Sequence, residues 1–179
     1  MVTIKIKNVK EYKKAFRELA RLGQLTALNA QLKQKLPREM QKIQQKAFNS
    51  EGGSTKAGKW KALSPAYKAQ KDKTHPGKTI LRRTDKMHKE LVSNIELKTA
   101  IGIVKQKYEF WISKKVDYWK YHQAGTEKIP ARKTVSLKNA DEKRLVKILY
   151  ATILHICKRA GIFDKISLPF PTWKSTADE

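Results

Sequence analysis

The chain has 179 residues, 40% of them hydrophobic, enough for one real core plus a protruding arm and too few for two independent globular domains. Forty Lys and Arg against sixteen Asp and Glu leave a formal charge of +24, far from the near-neutral balance of most soluble enzymes, and point to a polyanion or an acidic protein as partner. The single cysteine, Cys157, rules out an intrachain disulfide framework or a Cys-based zinc site and suits a reducing, cytoplasmic place of synthesis.

At the N-terminus Val2, Ile4 and Ile6 alternate with Thr3, Lys5 and Lys7, which predicts a strand. No apolar leader and no stretch of membrane-spanning length follows, so neither export by signal peptide nor insertion is expected. Asn8, with Glu11 in capping-box position, opens a predicted long amphipathic helix whose stripe runs through Val9, Tyr12, Phe16, Leu19, Leu25, Leu28, Leu32 and Leu36. Pro37 is expected to end or kink it, after which Met40, Ile43, Ala47 and Phe48 resume a helical stripe. "NSEGGSTKAGK" then reads as an exposed, mobile basic loop over about residues 50–60.

Ser64 and Pro65 have the character of an N-cap and first helical position, and His75-Pro76-Gly77 of the turn that ends that short helix. Thr84 is a candidate cap for another helix through Met87 and Leu91. From Ser93 the period changes to two: Ile95, Leu97, Thr99, then Ile101 and Ile103, then Tyr108, Phe110 and Ile112 predict a small antiparallel meander. "VDYWKYHQ" breaks the alternation as one or two helical turns stopped by Gly125, and "IPARKTVSL" resumes an extended run. Asn139 or Asp141 opens a strong final helix with Leu145, Ile148, Leu149, Thr152, Ile153 and Ile156 on its apolar face and Gly161 as C-cap. The expected fold is therefore α+β, one domain over residues 1–160 with a small antiparallel sheet between a long N-terminal and a C-terminal helix, followed by an arm over 161–179 that lies on something.

Chemistry is sparse. The four histidines, His75, His88, His122 and His155, share no metal-ligand spacing, and His155 and Cys157, two apart on a helix, read as a packed core pair. "EGGSTKAGK" lacks the spacing of a phosphate-binding loop, and the acidic residues are scattered singly, so no catalytic, metal or cofactor site is expected. Residues 56–83 carry nine cations against the single Asp72, with Trp60 and Tyr67 interleaved. Lys56, Lys59, Lys61, Lys68, Lys71, Lys73, Lys78, Arg82 and Arg83 are thus candidates for contact with a nucleic-acid backbone, either as a solvated basic face or as a sequence-independent groove. His122 and Gln123 could be a general base with an amide partner, but no nucleophile or orienting carboxylate accompanies them. The bland reading is preferred: both satisfy backbone groups at a turn, Gly125 supplies positive φ, Pro130 stiffens the exit, and Arg132 clamps carbonyls or a carboxylate at a subunit boundary.

Five stretches occur in an order that resembles a known family: "FNSEG…GKWKALSPAY" (Phe48 to Tyr67), "GKTILRRT" (Gly77 to Thr84), "DYWKYHQAG" (Asp117 to Gly125), "IPAR" (Ile129 to Arg132) and "ADEKRL" (Ala140 to Leu145). Over roughly residues 35–150 the chain resembles the virion morphogenesis, or tail completion, proteins of long-tailed bacteriophages. It departs from the family pattern at Asp85, where glycine is usual, and at Lys133 and Thr134, where an aromatic is usual. The resemblance implies a non-enzymatic protein of the virion, made in the bacterial cytoplasm, that completes the tail or joins it to the head-side connector. It further implies a homo-oligomeric ring around the DNA path, with neck and tail-tube proteins as partners and sequence-blind contact with DNA in the lumen. On that basis Trp60, Leu63, Pro65 and Tyr67 would anchor an arm on a neighbour, and His122, Gln123, Gly125, Pro130 and Arg132 would shape the corner where subunits meet. A sequence-independent DNA- or RNA-binding protein is the alternative.

Overall fold

Period-two alternation does produce strands, and they assemble through residues distant in sequence. A computed structural model of the chain describes residues 2–6, 9–101, 106–111, 116, 118–165, 168–170 and 173–175. Strands β1 (Val2–Ile6), β2 (Glu96–Ile101), β3 (Gln106–Trp111) and β4 (Trp173–Ser175) form one antiparallel sheet in the order β2-β3-β1-β4. The expected meander is thereby corrected: only β2 and β3 are a hairpin, with Thr99 opposite Tyr108, and the N-terminal strand pairs on one side with β3 and on the other with the C-terminal arm. A lone hairpin is marginal in water, and recruiting the two chain ends gives its backbone groups further partners. Ile103 and Ile112, expected in strands, lie outside the described residues, as does the proposed cap Asn8.

The expected first helix is two helices, α1 (Val9–Arg21) and α2 (Leu25–Asn49). Gly23, at φ 67, ends α1: its N–H reaches Ala20 O and that of Gln24 reaches Leu19 O, the paired bonds of a Schellman turn. Pro37, by contrast, neither ends nor interrupts α2. A proline inside a helix costs about 3 kcal/mol. The stripe Leu28, Leu32, Leu36, Met40, Ile43, Ala47 and Phe48 is buried on both sides of it, and each large apolar side chain buried returns about 1.5–3 kcal/mol, so continuity wins.

Farther along come α3 (Pro65–Thr74), α4 (Lys86–Ser93), α5 (Trp119–Ala124) and α6 (Asn139–Arg159), then a 3₁₀ turn at Phe163–Lys165. Ser64 caps α3 by accepting from Tyr67 N, with Pro65 in its first turn, and His75 N closes it on Lys71 O. The cap of α4 is Asp85 and not Thr84. Gly161, at φ 66, ends α6 with a second Schellman turn through Lys158 O and Cys157 O.

Contacts group into two compact units, both discontinuous in sequence. The first comprises residues 1–39, 96–111 and 140–179, the second residues 40–95 and 112–139. In the first, Tyr12, Phe16 and Leu19 of α1, Leu28, Leu32 and Leu36 of α2, Leu97 and Phe110 of the sheet, and Leu145, Leu149, Ile153 and Ile156 of α6 are buried. The C-terminal arm belongs to this unit. Ile162 and Leu168 are buried, Tyr12 Oη donates to Pro169 O (2.7 Å) and Tyr150 Oη to Leu168 O (2.8 Å). In the second unit Met40, Ile43, Phe48, Trp60, Met87, Leu91, Val135 and Leu137 are buried. Among the described residues no helix is long and apolar enough to cross a membrane.

Candidate functional site

Segments of the second unit that are far apart in sequence are tied together by side chains that imitate backbone pairing. Gln123, on α5, accepts at Oε1 from Thr134 N (2.9 Å) and Val135 N (3.1 Å), and donates from Nε2 to Val135 O (3.0 Å). The run after Ile129, expected to be extended, therefore pairs with a side chain and not with a strand, and carries no ladder. Arg132 is only 5% exposed; its Nε donates to Lys61 O (2.9 Å), its Nη2 to Ala62 O (3.2 Å), and its own N–H reaches His122 O (2.6 Å). The expected carbonyl clamp exists, within one chain. Gly125, at φ 80, stops α5 through Tyr121 O; a Cβ there would meet Ala131 N at 2.8 Å.

Trp60 departs from its expected role. It is 4% exposed, its indole Nε1 donates to Lys133 O (3.1 Å), and its ring meets Phe48 edge-on at 5.3 Å. A neighbouring subunit has no access to it, and neither does a nucleic-acid base. The preceding loop is likewise pinned and not merely exposed: Glu51, at φ 47, ends α2 in a third Schellman turn, Trp60 N bonds Glu51 O, Lys56 N bonds Ser136 O, and Gly52 and Thr55 are buried. Gly52 has no room for a side chain, because a Cβ would lie 2.5 Å from the Trp60 ring.

Around this frame lies an open cleft of about 1050 Å³. Lys61, Leu63 and Ser64 line it from the segment leading into α3, Tyr67 from α3, Leu81, Arg83 and Thr84 from the following loop, and Met87 from α4. Tyr118 and His122 enter from α5, and Glu127, Lys128, Ile129, Pro130 and Arg132 from the loop after it. Of the candidate interface residues, Leu63, Tyr67, His122, Pro130 and Arg132 meet there, with Lys61, Lys71 and Arg83 of the candidate cations, while Trp60, Pro65, Gln123 and Gly125 do not line it. Leu81, Met87, Tyr118 and Ile129 were missed. Leu81, held at φ 63, Tyr118 and Ile129 lie inside the motifs quoted above, whereas Met87 carries no signal beyond its apolar character.

The nine candidate cations divide. Lys71 is 4% exposed and donates to Lys78 O and Thr79 O, both at 2.6 Å, so it closes the end of α3 and cannot meet a phosphate; burial pulls its ammonium pKa down. Lys78 and Arg82 are both paired with Asp85, whose carboxyl those hydrogen bonds hold down to about 2. Lys56, Lys59, Lys61, Lys68, Lys73 and Arg83 are exposed.

The histidines do not gather. Burial lowers the pKa of His122, with the Arg132 charge adding to it, and lowers that of His88, whose ring meets Phe48 edge-on at 5.0 Å. His155 is exposed while Cys157 is fully buried, so the expected core pair is a core cysteine alone, its thiol pushed up to about 11 by burial. Among the described residues no three His, Cys, Asp or Glu are placed to hold a metal ion.

Comparison of the chain with protein families, with curated proteins and with solved structures finds no match. The site stands on its own geometry: a fixed, open cleft with a mixed apolar and basic lining, suited to holding another molecule.

Proposed function

We propose that this chain is a structural morphogenesis protein of a long-tailed bacteriophage, one that completes the tail or joins it to the head-side connector, acting through protein contacts as a homo-oligomeric ring in the virion. One observation carries the reading. Four of the five stretches that resemble the tail completion family, spread from Lys61 to Arg132, converge on a single cleft, where they contribute Leu63 and Tyr67, Thr84, His122, and Pro130 with Arg132. Residues that hold a turn need only their local partners; residues of separate motifs lining one accessible surface fit a shared docking role. Exposed Tyr67 and Tyr118 are the kind of side chain that anchors protein interfaces.

The second reading, sequence-independent nucleic-acid binding, rests on the +24 charge and on the exposed Lys59, Lys61, Lys68, Lys73 and Arg83. It has lost Trp60 as a stacking platform and Lys71 as a phosphate contact. Light scattering of the purified chain and electron microscopy of virions assembled without it separate the two. Rings in solution and tails that fail to join heads are the expected results. A permanent monomer that is absent from virions and binds duplex tightly would replace the first reading with the second.

A further inference from the structure

We infer that the occupant of the cleft in the second unit is an acidic peptide segment of a partner protein carrying an apolar anchor, an inference that rests on the docking reading above. The lining is graded. Met87 is 3% exposed, Leu63, Leu81, Ile129 and Pro130 are half-buried, and Lys61, Arg83 and Lys128 are exposed. An apolar floor thus lies beneath a rim of three cations opposed by one acid, Glu127. Those three cations are in no ion pair among the described residues, whereas Lys78 and Arg82 nearby are neutralised by Asp85. Rim charge therefore remains for a ligand. The two cations deeper in the lining are spent on the fold: Arg132 on Lys61 O and Ala62 O, Lys71 on Lys78 O and Thr79 O.

This distribution discriminates between classes of polyanion. A nucleic-acid strand brings a charge at every step and needs cations along the whole groove, with flat faces for its bases. Here flat faces are present in Tyr67 and Tyr118, but the free cations stand only at the rim, and the floor of Leu63, Leu81, Met87, Ile129 and Pro130 supplies no charge along its length. A peptide with a buried aliphatic or aromatic side chain flanked by carboxylates matches both layers, and the electrostatic share of its binding falls with salt. The cleft, about 1050 Å³, is just above the range of about 300–1,000 Å³ typical of ligand clefts, so it takes a short segment and not a whole domain face.

The test is fluorescence anisotropy on the full chain with three probes: a short glutamate-rich peptide containing a central Leu-Trp-Leu anchor, an oligoglutamate without the anchor, and a single-stranded oligothymidine. The anchored peptide is expected to bind about tenfold tighter than oligoglutamate. Lys61→Glu combined with Arg83→Glu is expected to weaken it about tenfold, and Lys128→Glu alone by less, with circular dichroism confirming folding. Lys10→Glu with Lys14→Glu, an equal charge change on exposed positions of α1, is expected to leave it within about twofold. Equal weakening by both double variants reduces the effect to net charge and overturns the inference. Tighter oligothymidine binding that is sensitive to Lys61 and Arg83 overturns it in favour of a nucleic acid. If the inference fails while the chain still forms rings and is found in virions, the assembly reading stands and only the occupant is wrong.

Discussion

Asp85 joins two opposed local forces. Its backbone is left-handed at φ 55, a conformation costly for L side chains, while its carboxylate receives Lys78 and, at 2.7 Å, Arg82. It is also the position at which the resembling phage family usually has glycine, the residue that adopts such a backbone without strain. Asp85→Ala keeps the strain and removes both pairs, whereas Asp85→Gly removes both. Urea midpoints should therefore rank the glycine variant above the alanine one by about 1 kcal/mol. Gly125 has no such tolerance. Positive φ and the close Ala131 backbone act together, so Gly125→Ala should cost about 2 kcal/mol or more, read as a lowered Tm. Gln123 and Arg132 were legible as residues that satisfy backbone groups because an amide at a helix end and a guanidinium just beyond a stiff turn are placed to reach unpaired backbone groups. Lys71 was not: nothing in a run of surface-type lysines marks the one whose ammonium the fold turns inward onto two carbonyls.

Elements were legible wherever apolar period and punctuation agreed. Ser64-Pro65 opens α3, Gly161 closes α6, and the period-two run after Ser93 becomes β2 and β3. Where punctuation and stripe disagreed, the stripe prevailed at Pro37, yet at Gly23 a glycine that had drawn no notice divided the first helix. The reason is energetic: a proline inside a helix sets one hydrogen bond and some strain against an uninterrupted buried stripe, while a left-handed glycine is offered satisfied carbonyls in exchange for a turn. Burial of α6 also sets the reactivity of Cys157. With its thiol held up to about 11 and no exposed surface, it should resist iodoacetamide in the native protein at pH 8 and react fully in guanidinium; rapid native labelling would mean that α6 opens.

At the scale of the whole molecule, acid stability follows from the shifted groups. His88 and His122 have folded pKa values lowered from 6.5, so below about pH 6.5 the unfolded chain takes up protons that the folded chain refuses. Stability falls as pH drops through that window and is retained above it. Asp85 has a folded value near 2 against 3.8, so its contribution is present above about pH 3.8 and is lost between there and about 2. Thermal melts from pH 8 to 2 should show two successive declines. Asp85→Gly should remove part of the lower decline, and His122→Asn part of the upper one; a stability that rises on acidification from pH 7 to 5 would contradict this assignment.

The sequence by itself determined the α+β class, the basic character, most element positions and the residues of the turn around Gly125, because period, capping chemistry and charge are local properties. Only the tertiary structure decided that the chain ends complete the sheet, that contacts group into two units, that Trp60 and Lys71 point inward, and that separate motifs line one cleft. Those outcomes depend on which distant surfaces exclude water together, and a backbone group far along the chain accepts a side chain's hydrogen bond without leaving any mark in the spacing of residues around it.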